Sequence, residues 1–402
     1  MPWKERRAVD ERRSFIEAWE KGEEDFAELC RRYEISRQTG YKWAQRYAEQ
    51  GEQGLQERSR APEHCPHAMS EGVAEAVLQL RREHPRWGPR TLRRRLQVLR
   101  PERAWPASSS IGELLSREGL THPRRPRRRT PSYTAPLAHA QAPNQVWCGD
   151  YKGWFYCGDG QRCDPLTLSD AFSRYLLRCR AVPKTDGVEA QVVFEAAFRE
   201  YGLPEAIRTD NGPPFASPAP AGLSRLSMWW LRLGIRHERI APGCPEQNGR
   251  HERMHQTLKQ ETASPPRANL RQQQQAFQRF QHEYNQERPH QALNYQTPGQ
   301  LYVGSTRCYP SRLPELEYVP GVHLRRISQQ GSVKWKGGRA FVSEVLAREY
   351  VGLLEVEEDF LEVYYGTLFL GVLEAAGPEP VFAADPGPPH RSRRKAAAGG
   401  PP

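Results

Sequence analysis

The segment Ala206–Gly212 reads AIRTDNG, and it decides the fold of the central part of the chain. The apolar start predicts a short strand that ends at Asp210, and Asn211-Gly212 predicts the turn that follows. Amphipathic helical patterns flank it, at 187–201 and 223–233. Strands that alternate with helices predict an α/β sheet layered by helices. Because ligands bind at the carboxyl ends of strands in such sheets, Asp210 is a candidate functional residue.

Two further carboxylates occupy unusual settings. Asp150 lies in the predicted strand QVWCGDY, two residues after Cys148 and on the same face. Glu252 lies on a predicted helix over 245–262. His255, Gln256 and Lys259 follow it at helical spacing on the same face. Each acid taken alone is more often structural or solvated.

The three acids together predict a metal site. Convergent carboxylates either repel one another, which raises a pKa, or share cations. Hard oxygen ligands suit Mg²⁺ or Mn²⁺. Two such ions stabilise both the attacking and the leaving oxygen of a phosphoryl transfer. We therefore predict two ions held by Asp150, Asp210 and Glu252.

Composition points to nucleic acid as the partner. The chain has 402 residues, 59 Lys and Arg against 48 Asp and Glu, and a formal net charge of +11. Arginine supplies most of the positive charge, and its planar fork suits phosphate and guanine edges. The alternative is that net charge reports only solubility and non-specific binding.

The sequence also predicts where the protein is located and what its cysteines do. It lacks an apolar run of membrane-spanning length and a signal-peptide pattern, so we predict a cytoplasmic protein without membrane contact. The eight cysteines form no CxxC pair, which favours free thiols over structural zinc.

Residues 1–62 predict a helix-turn-helix domain. Two short helical patterns meet at Ser36, a good N-cap for the second. The start of that second helix would touch base edges, as a recognition helix does. The residues placed there are Arg37, Gln38, Thr39, Tyr41 and Lys42. The alternative is a helical bundle with a solvated basic face.

The remaining segments differ in composition, and each predicts a different structure. Residues 66–122 predict a second helical unit, which is either a DNA-binding domain or a spacer. Residues 123–143 predict an extended basic linker in which Arg124 and Arg125 track phosphates. Short apolar runs over 310–375 predict a small β-barrel. Residues 376–402 predict a disordered tail.

The motifs around the three acids resemble those of bacterial insertion-sequence transposases in the DDE, or retroviral-integrase, superfamily. The matching segments are QVWCGDYKG (145–153), RTDNGPPF (208–215), PEQNGRHERMHQTLK (245–259) and YNQERPHQALNYQTP (284–298). The resemblance implies an RNase H-like integrase core over 144–305 with a mixed five-stranded sheet. It makes Asp150, Asp210 and Glu252 the catalytic triad. The 42-residue step from Asp210 to Glu252 exceeds the roughly 35 residues typical of the family, and we assign the excess to loop 216–223.

The resemblance also implies an activity: metal-dependent 3′-end cleavage of element DNA and strand transfer into target DNA. Asn248, Arg250, Arg253 and Lys259 are predicted to contact DNA, and His251 and His255 to be surface histidines. A homo-oligomer on double-stranded DNA, associated with the bacterial nucleoid, is the expected assembly. The alternatives are a domesticated DNA-binding regulator with a silent core and a metal-dependent nuclease.

Overall fold

The computed structural model describes residues 8–57, 69–121, 139–241, 249–376 and 380–384. The chain divides into two compact units, 1–69 and 70–402. The predicted linker residues Arg124 and Arg125, Asn248, and almost all of the tail lie outside the described residues. Among those described, none of the helices combines the length and apolar character needed to cross a membrane.

The first unit is a three-helix domain. Its helices are α1 (Ala8–Lys21), α2 (Phe26–Arg32) and α3 (Arg37–Gln50). The Ser36 hydroxyl accepts a hydrogen bond from the amide of Thr39 at 3.1 Å, which confirms the predicted cap. Phe15, Leu29 and Trp43 form the core with their neighbours. A Cβ on Gly40 would lie 2.7 Å from Cys30 Sγ, so glycine permits the close approach of α2 and α3.

The second unit begins with three more helices, α4 (Glu71–Glu83), α5 (Pro89–Leu99) and α6 (Ser108–Arg117). They pack around fully buried Val77, Leu92 and Ile111. Polar contacts fix them to the rest of the unit. His84 lies 2.8 Å from Glu283, and Arg95 donates to Glu287 at 3.2 Å. The boundary of a separate domain over 66–122 stays a prediction.

The centre of the second unit is an α/β layer. Its strands are β1 (Val146–Tyr151), β2 (Phe155–Tyr156), β3 (Arg162–Asp170), β4 (Leu176–Val182), β5 (Ala206–Thr209) and β6 (Arg236–Arg239). The helices are α7 (Gly187–Tyr201), α8 (Arg225–Arg232), α9 (Gly249–Thr262), α10 (Leu270–His282) and α11 (Pro298–Leu301). Strands β1, β3 and β4 are antiparallel neighbours, whereas β5 and β6 continue parallel to β1. The predicted mixed sheet is therefore confirmed, with the two-residue β2 as an addition.

Helices cover both faces of this sheet. Trp147, Phe194 and Trp230 belong to the core against α7 and α8. Met254, Leu258 and Phe277 belong to the core against α9 and α10. A Cβ on Gly149 would lie 3.0 Å from Phe194 Cζ, so β1 approaches α7 closely beside Asp150.

The apolar residues of α7 do not all face the core. Val188 and Val192 are 74% and 61% exposed. Ala190 and Val193 lie in the core with Phe194 instead. The two valines are four residues apart and share the solvent side of the helix, because residues at this spacing lie on one face.

The loop 216–223 has a structural role. Its Pro220 and Leu223 are buried, and Leu223 packs in one cluster with Met228 and Leu353. The extra length between Asp210 and Glu252 therefore covers the C-terminal sheet, rather than extending freely into solvent.

The predicted C-terminal β-barrel is wrong. Residues 323–384 form the five-stranded antiparallel sheet β13-β12-β11-β10-β7 and a separate hairpin, β8-β9. The strands are β7 (His323–Arg326), β8 (Ser332–Trp335), β9 (Gly338–Phe341), β10 (Tyr350–Glu357), β11 (Phe360–Tyr365), β12 (Leu368–Glu374) and β13 (Val381–Ala384). A barrel needs the two outer strands to pair, and in the described residues β7 and β13 pair only inward.

Candidate functional site

Three acids converge at one edge of the central sheet. Asp150 lies near the end of β1, and Asp210 follows the end of the parallel neighbour β5. Glu252 lies in the first turn of α9, which packs over the same face. The Gly212 amide donates to Asp210 Oδ1 at 3.1 Å, so the Asn211-Gly212 turn holds that carboxylate in place. Asp210 and Glu252 lie close enough to Asp150 for their charges to act on its carboxyl group. Among the described residues, however, the group whose ligand atoms all lie within 4.8 Å of one another is Asp150, His251 and His255, and it does not include Asp210 or Glu252.

The pKa of the Asp150 carboxyl group is raised by its burial and by the two neighbouring acids. Burial raises the pKa of its carboxyl, and the negative charges of Asp210 and Glu252 raise it further, to about 7. The Tyr151 backbone and the Lys152 ammonium oppose this shift only partly. A cation that neutralises the neighbouring charges would stabilise the ionised form of this carboxyl group.

A buried polar network supports Asp150 from behind. Thr167 lies opposite Asp150 in the β1–β3 ladder, and its hydroxyl lies 3.2 Å from the Asp150 carbonyl. The same hydroxyl lies 2.7 Å from His251 Nε2 and 2.5 Å from His255 Nε2. Ser169 Oγ lies 2.9 Å from His251 Nδ1. These contacts tie the first two turns of α9, which carry Glu252, to β3.

The prediction that His251 and His255 are surface histidines is wrong. They are 3% and 2% exposed. Burial lowers the pKa of His251 to about 3, and burial together with the charges of His251 and Lys152 lowers the pKa of His255. Both imidazoles are therefore neutral near pH 7.

Ring nitrogens of this histidine pair are donor atoms for a metal in principle. A nitrogen of each ring and an oxygen of Asp150 lie within 4.8 Å of one another. His251, however, uses both nitrogens in its contacts with Thr167 and Ser169. His255 Nδ1 faces Asp150 Oδ2 at 3.6 Å, which is too long for a hydrogen bond. The carboxylate oxygens are thus the ligands that a hard cation meets first.

Two lysines line a small cleft beyond the end of β1. Lys152 and Lys259 border it together with Trp154. Lys152 also lies close enough to Asp150 to act on its carboxyl group, whereas the predicted contact of Lys259 with DNA stays a prediction. Arg253 is exposed and its charge acts on the buried Tyr284, while its predicted contact with DNA stays a prediction. The backbone of Arg250 lies in α9, and its side chain is outside the described residues.

The predicted recognition residues lie at the start of α3. Arg37, Gln38, Tyr41 and Lys42 are exposed, and Thr39 is half-buried. The Tyr41 ring stacks on Phe26 with 4.3 Å between the ring centres, although 60% of the residue is exposed. The helix therefore presents a row of exposed basic and polar side chains at its start, and their contact with DNA stays a prediction.

We predict that Arg37→Ala weakens specific binding of the first unit's target DNA by about tenfold, because an Arg contact to a base edge contributes about 1–3 kcal/mol. Gln45→Ala, an exposed change further along α3, serves as the control and should leave the affinity unchanged. Titration of labelled DNA at fixed salt concentration measures both. Equal affinities for wild type and Arg37→Ala would refute the recognition-helix assignment.

The second helical unit also presents basic groups. Arg90, Arg93 and Arg94 of α5 line a cleft with Asn294 and Tyr295. Arg95 from the same helix makes the ion pair with Glu287 instead. Helix α5 thus both docks onto the unit and displays arginines. Both roles predicted for this region, DNA contact and spacer, remain compatible with the geometry.

The sequence patterns did not lead to a prediction of the hydrogen-bond network of Thr167, Ser169, His251 and His255 behind Asp150. The signal was present, because Thr167 and Ser169 alternate with Leu166 and Leu168 in β3. Alternation at period two places polar groups on one face of the strand. Two histidines at i and i+4 on the facing helix are the natural partners for them.

Family comparisons agree with the architecture. Integrase core domain families match residues 140–245 and residues 233–298. A helix-turn-helix domain family matches residues 11–63, and a homeodomain-like domain family matches residues 39–115. These matches cover the recognition helix, the sheet that carries Asp150 and Asp210, and the helix that carries Glu252.

Several curated relatives come from bacterial insertion elements. The chain is 28% identical to the insertion element IS407 uncharacterized 31.7 kDa protein of Burkholderia multivorans, over 59% of this chain and 82% of the relative. It is 27% identical to the insertion element IS476 uncharacterized 39.2 kDa protein of Xanthomonas euvesicatoria, over 59% and 66%. The putative transposase InsD for insertion element IS2E of Escherichia coli is 28% identical, over 41% and 76%. The chain therefore contains regions that match integrase core domain and helix-turn-helix domain families, and it is similar to proteins of bacterial insertion elements.

Proposed function

We propose that this protein is a transposase that binds the ends of an insertion element, cleaves the DNA at the 3′ end and joins that end to target DNA. The observation that carries the proposal is the convergence of Asp150, Asp210 and Glu252, expressed in the raised pKa of Asp150. Such a cluster is costly unless cations or a reaction require it.

The donor set fits two Mg²⁺ or Mn²⁺ ions. Asp150, Asp210 and Glu252 supply oxygen ligands, and the hydrogen-bonded ring nitrogens of His251 are not open to a metal. Bound ions of this kind supply Lewis-acid stabilisation of the attacking and leaving oxygens of a phosphoryl transfer. The Thr167–histidine network joins the backbone of Asp150 to the helix that carries Glu252. Asp210 is held by its own turn.

Positive side chains place the DNA against the acids. We assign Lys152 and Lys259 to the phosphates that flank the scissile bond, since a carboxylate cluster alone would repel the backbone. Arg37 and its neighbours on α3 read the element end. We further propose that the protein acts as a homo-oligomer on double-stranded DNA, at the bacterial nucleoid.

Strand transfer in vitro tests the proposal. The substrate is linear DNA that carries the sequence flanking this gene, with a supercoiled plasmid as target. We expect Mg²⁺-dependent joining of the 3′ end to the plasmid, which EDTA abolishes. Cleavage without joining would instead indicate a nuclease, and binding without cleavage a DNA-binding regulator.

Metal affinity should depend on pH. Below about pH 7 a cation must displace a proton from Asp150, so the affinity should fall as the pH falls. We expect a loss approaching tenfold per pH unit between pH 7 and pH 5.5, and a plateau above pH 8. Titration of the DNA-free protein with Mn²⁺, followed by electron paramagnetic resonance, measures the free ion. A constant affinity from pH 5.5 to pH 8.5 would contradict the crowded-carboxylate geometry.

A further inference from the structure

A one-residue bulge lies directly after Asp150. Tyr151 lies opposite Leu166, and Phe155 lies opposite Cys163. Three residues separate Tyr151 from Phe155, but only two separate Cys163 from Leu166 on the facing strand. Gly153 takes up the extra length with φ of +79°, a conformation that favours glycine. Bulges of this kind redirect a side chain, and they are common beside active sites.

Two exposed aromatic rings lie at the bulge and in β2. Trp154 is 55% exposed and Tyr156 is 56% exposed. The rings meet edge to face, with 5.2 Å between their centres and 65° between their planes, so Trp154 is the ring on which a base stacks and Tyr156 supports its edge. The Arg162 guanidinium lies 5.2 Å from the centre of the Trp154 ring. Arg162 is itself fixed by two hydrogen bonds to the buried carboxylate of Asp164, at 2.6 Å and 2.8 Å. The exposed apolar surface of the Trp154 ring is therefore held in a defined position by Arg162. Exposed apolar surface of this kind is unfavourable in water and often marks a binding site.

Two lysines lie beside the Trp154 ring, as cations do in sites that bind nucleic acid. Lys152 and Lys259 line the cleft that Trp154 borders. Lys152 also lies close enough to Asp150 to lower the pKa of that carboxyl. Aromatic rings with cations along a phosphate path are the elements from which single-stranded DNA sites are built.

We propose that Trp154 and Tyr156 form a stacking platform for an unpaired base at the DNA end that is processed at Asp150. The inference rests on the proposed transposase function and adds a step to it. The terminal base pair opens, one base stacks on the Trp154 ring, and the phosphate beside it approaches the acids. Stacking on the ring offsets part of the free energy of unpairing.

Single-turnover strand transfer at saturating protein tests the platform. The substrates are two linear duplexes with the gene-flanking end sequence, one fully paired and one mismatched at the last two base pairs. We expect Trp154→Ala to slow the reaction of the paired end by about tenfold or more. Its rate on the mismatched end should lie within about twofold of wild type, because unpairing is no longer needed. Trp154→Phe, which keeps a flat ring, should restore most of the rate on the paired end.

The controls separate this inference from its premise. Tyr350→Ala removes an equally exposed aromatic ring from the C-terminal sheet and should leave both rates unchanged. If wild type joins neither duplex, the proposed function itself fails. If wild type joins both, and Trp154→Ala slows both equally or neither, the platform is refuted while the function stands.

Discussion

Asp150→Asn should abolish strand transfer, with a rate at least about 10³-fold below that of wild type. The asparagine keeps the shape of the side chain but removes one anionic ligand from the group that includes Asp210 and Glu252. Loss of that ligand removes several kcal/mol of charge stabilisation from the transition state. Binding to element ends should not change, because α3 lies in the other compact unit. Joining of labelled ends and a parallel binding titration measure the two effects.

Stability provides the control for this variant. The pKa of the Asp150 carboxyl is raised to about 7 from 3.8, so its contribution to stability is present at low pH and is lost as the pH rises through 7. Without metal at pH 8, Asp150→Asn should therefore melt at or above the temperature of wild type. Asp159→Asn, an exposed acid in the nearby turn, should keep full activity. Substantial strand transfer by Asp150→Asn would remove Asp150 from the reaction.

The positions of Asp150 and Asp210 at one sheet edge could be predicted from local patterns. Asp210 ends an apolar run before Asn-Gly, and Asp150 lies within another such run. The parallel pairing of β1 and β5 then carries both side chains to one edge. To place Asp150 and Asp210 at one edge, it is enough to know that neighbouring parallel strands end on the same side of a sheet.

Other features depend on contacts that a sequence pattern does not contain. His251 and His255 lie on a polar helix, and only the packing of α9 on Thr167 shows that they are buried. Likewise, the apolar runs over 310–375 mark strands correctly, yet closure depends on whether the outer strands meet. Strand β7 is exposed along its whole length, and its only ladder partner among the described strands is β10.

Phe194→Ala should cause a large loss of stability, about 3–5 kcal/mol in the free energy of unfolding. Its ring is fully buried and packs against the rings of Phe215 and Trp230. The substitution leaves a cavity that the close-packed layer cannot fill. Val192→Ala, two residues earlier on the exposed side of α7, should change stability by less than about 0.5 kcal/mol. Guanidinium unfolding followed by tryptophan fluorescence compares the two variants.

A double substitution tests whether Phe194 also sets the position of β1 beside Asp150. Gly149→Ala alone should destabilise the protein by about 1–3 kcal/mol, because its methyl group would lie 3.0 Å from Phe194 Cζ and 3.2 Å from Leu168 Cδ2. In the Phe194→Ala background the same methyl group enters the cavity, so the two losses should sum to more than the loss of the double variant. Additive losses would mean that the cost of the methyl group at position 149 does not come from the Phe194 ring. The contact with Leu168 would then account for it, and Phe194 would not set the position of β1 beside Asp150.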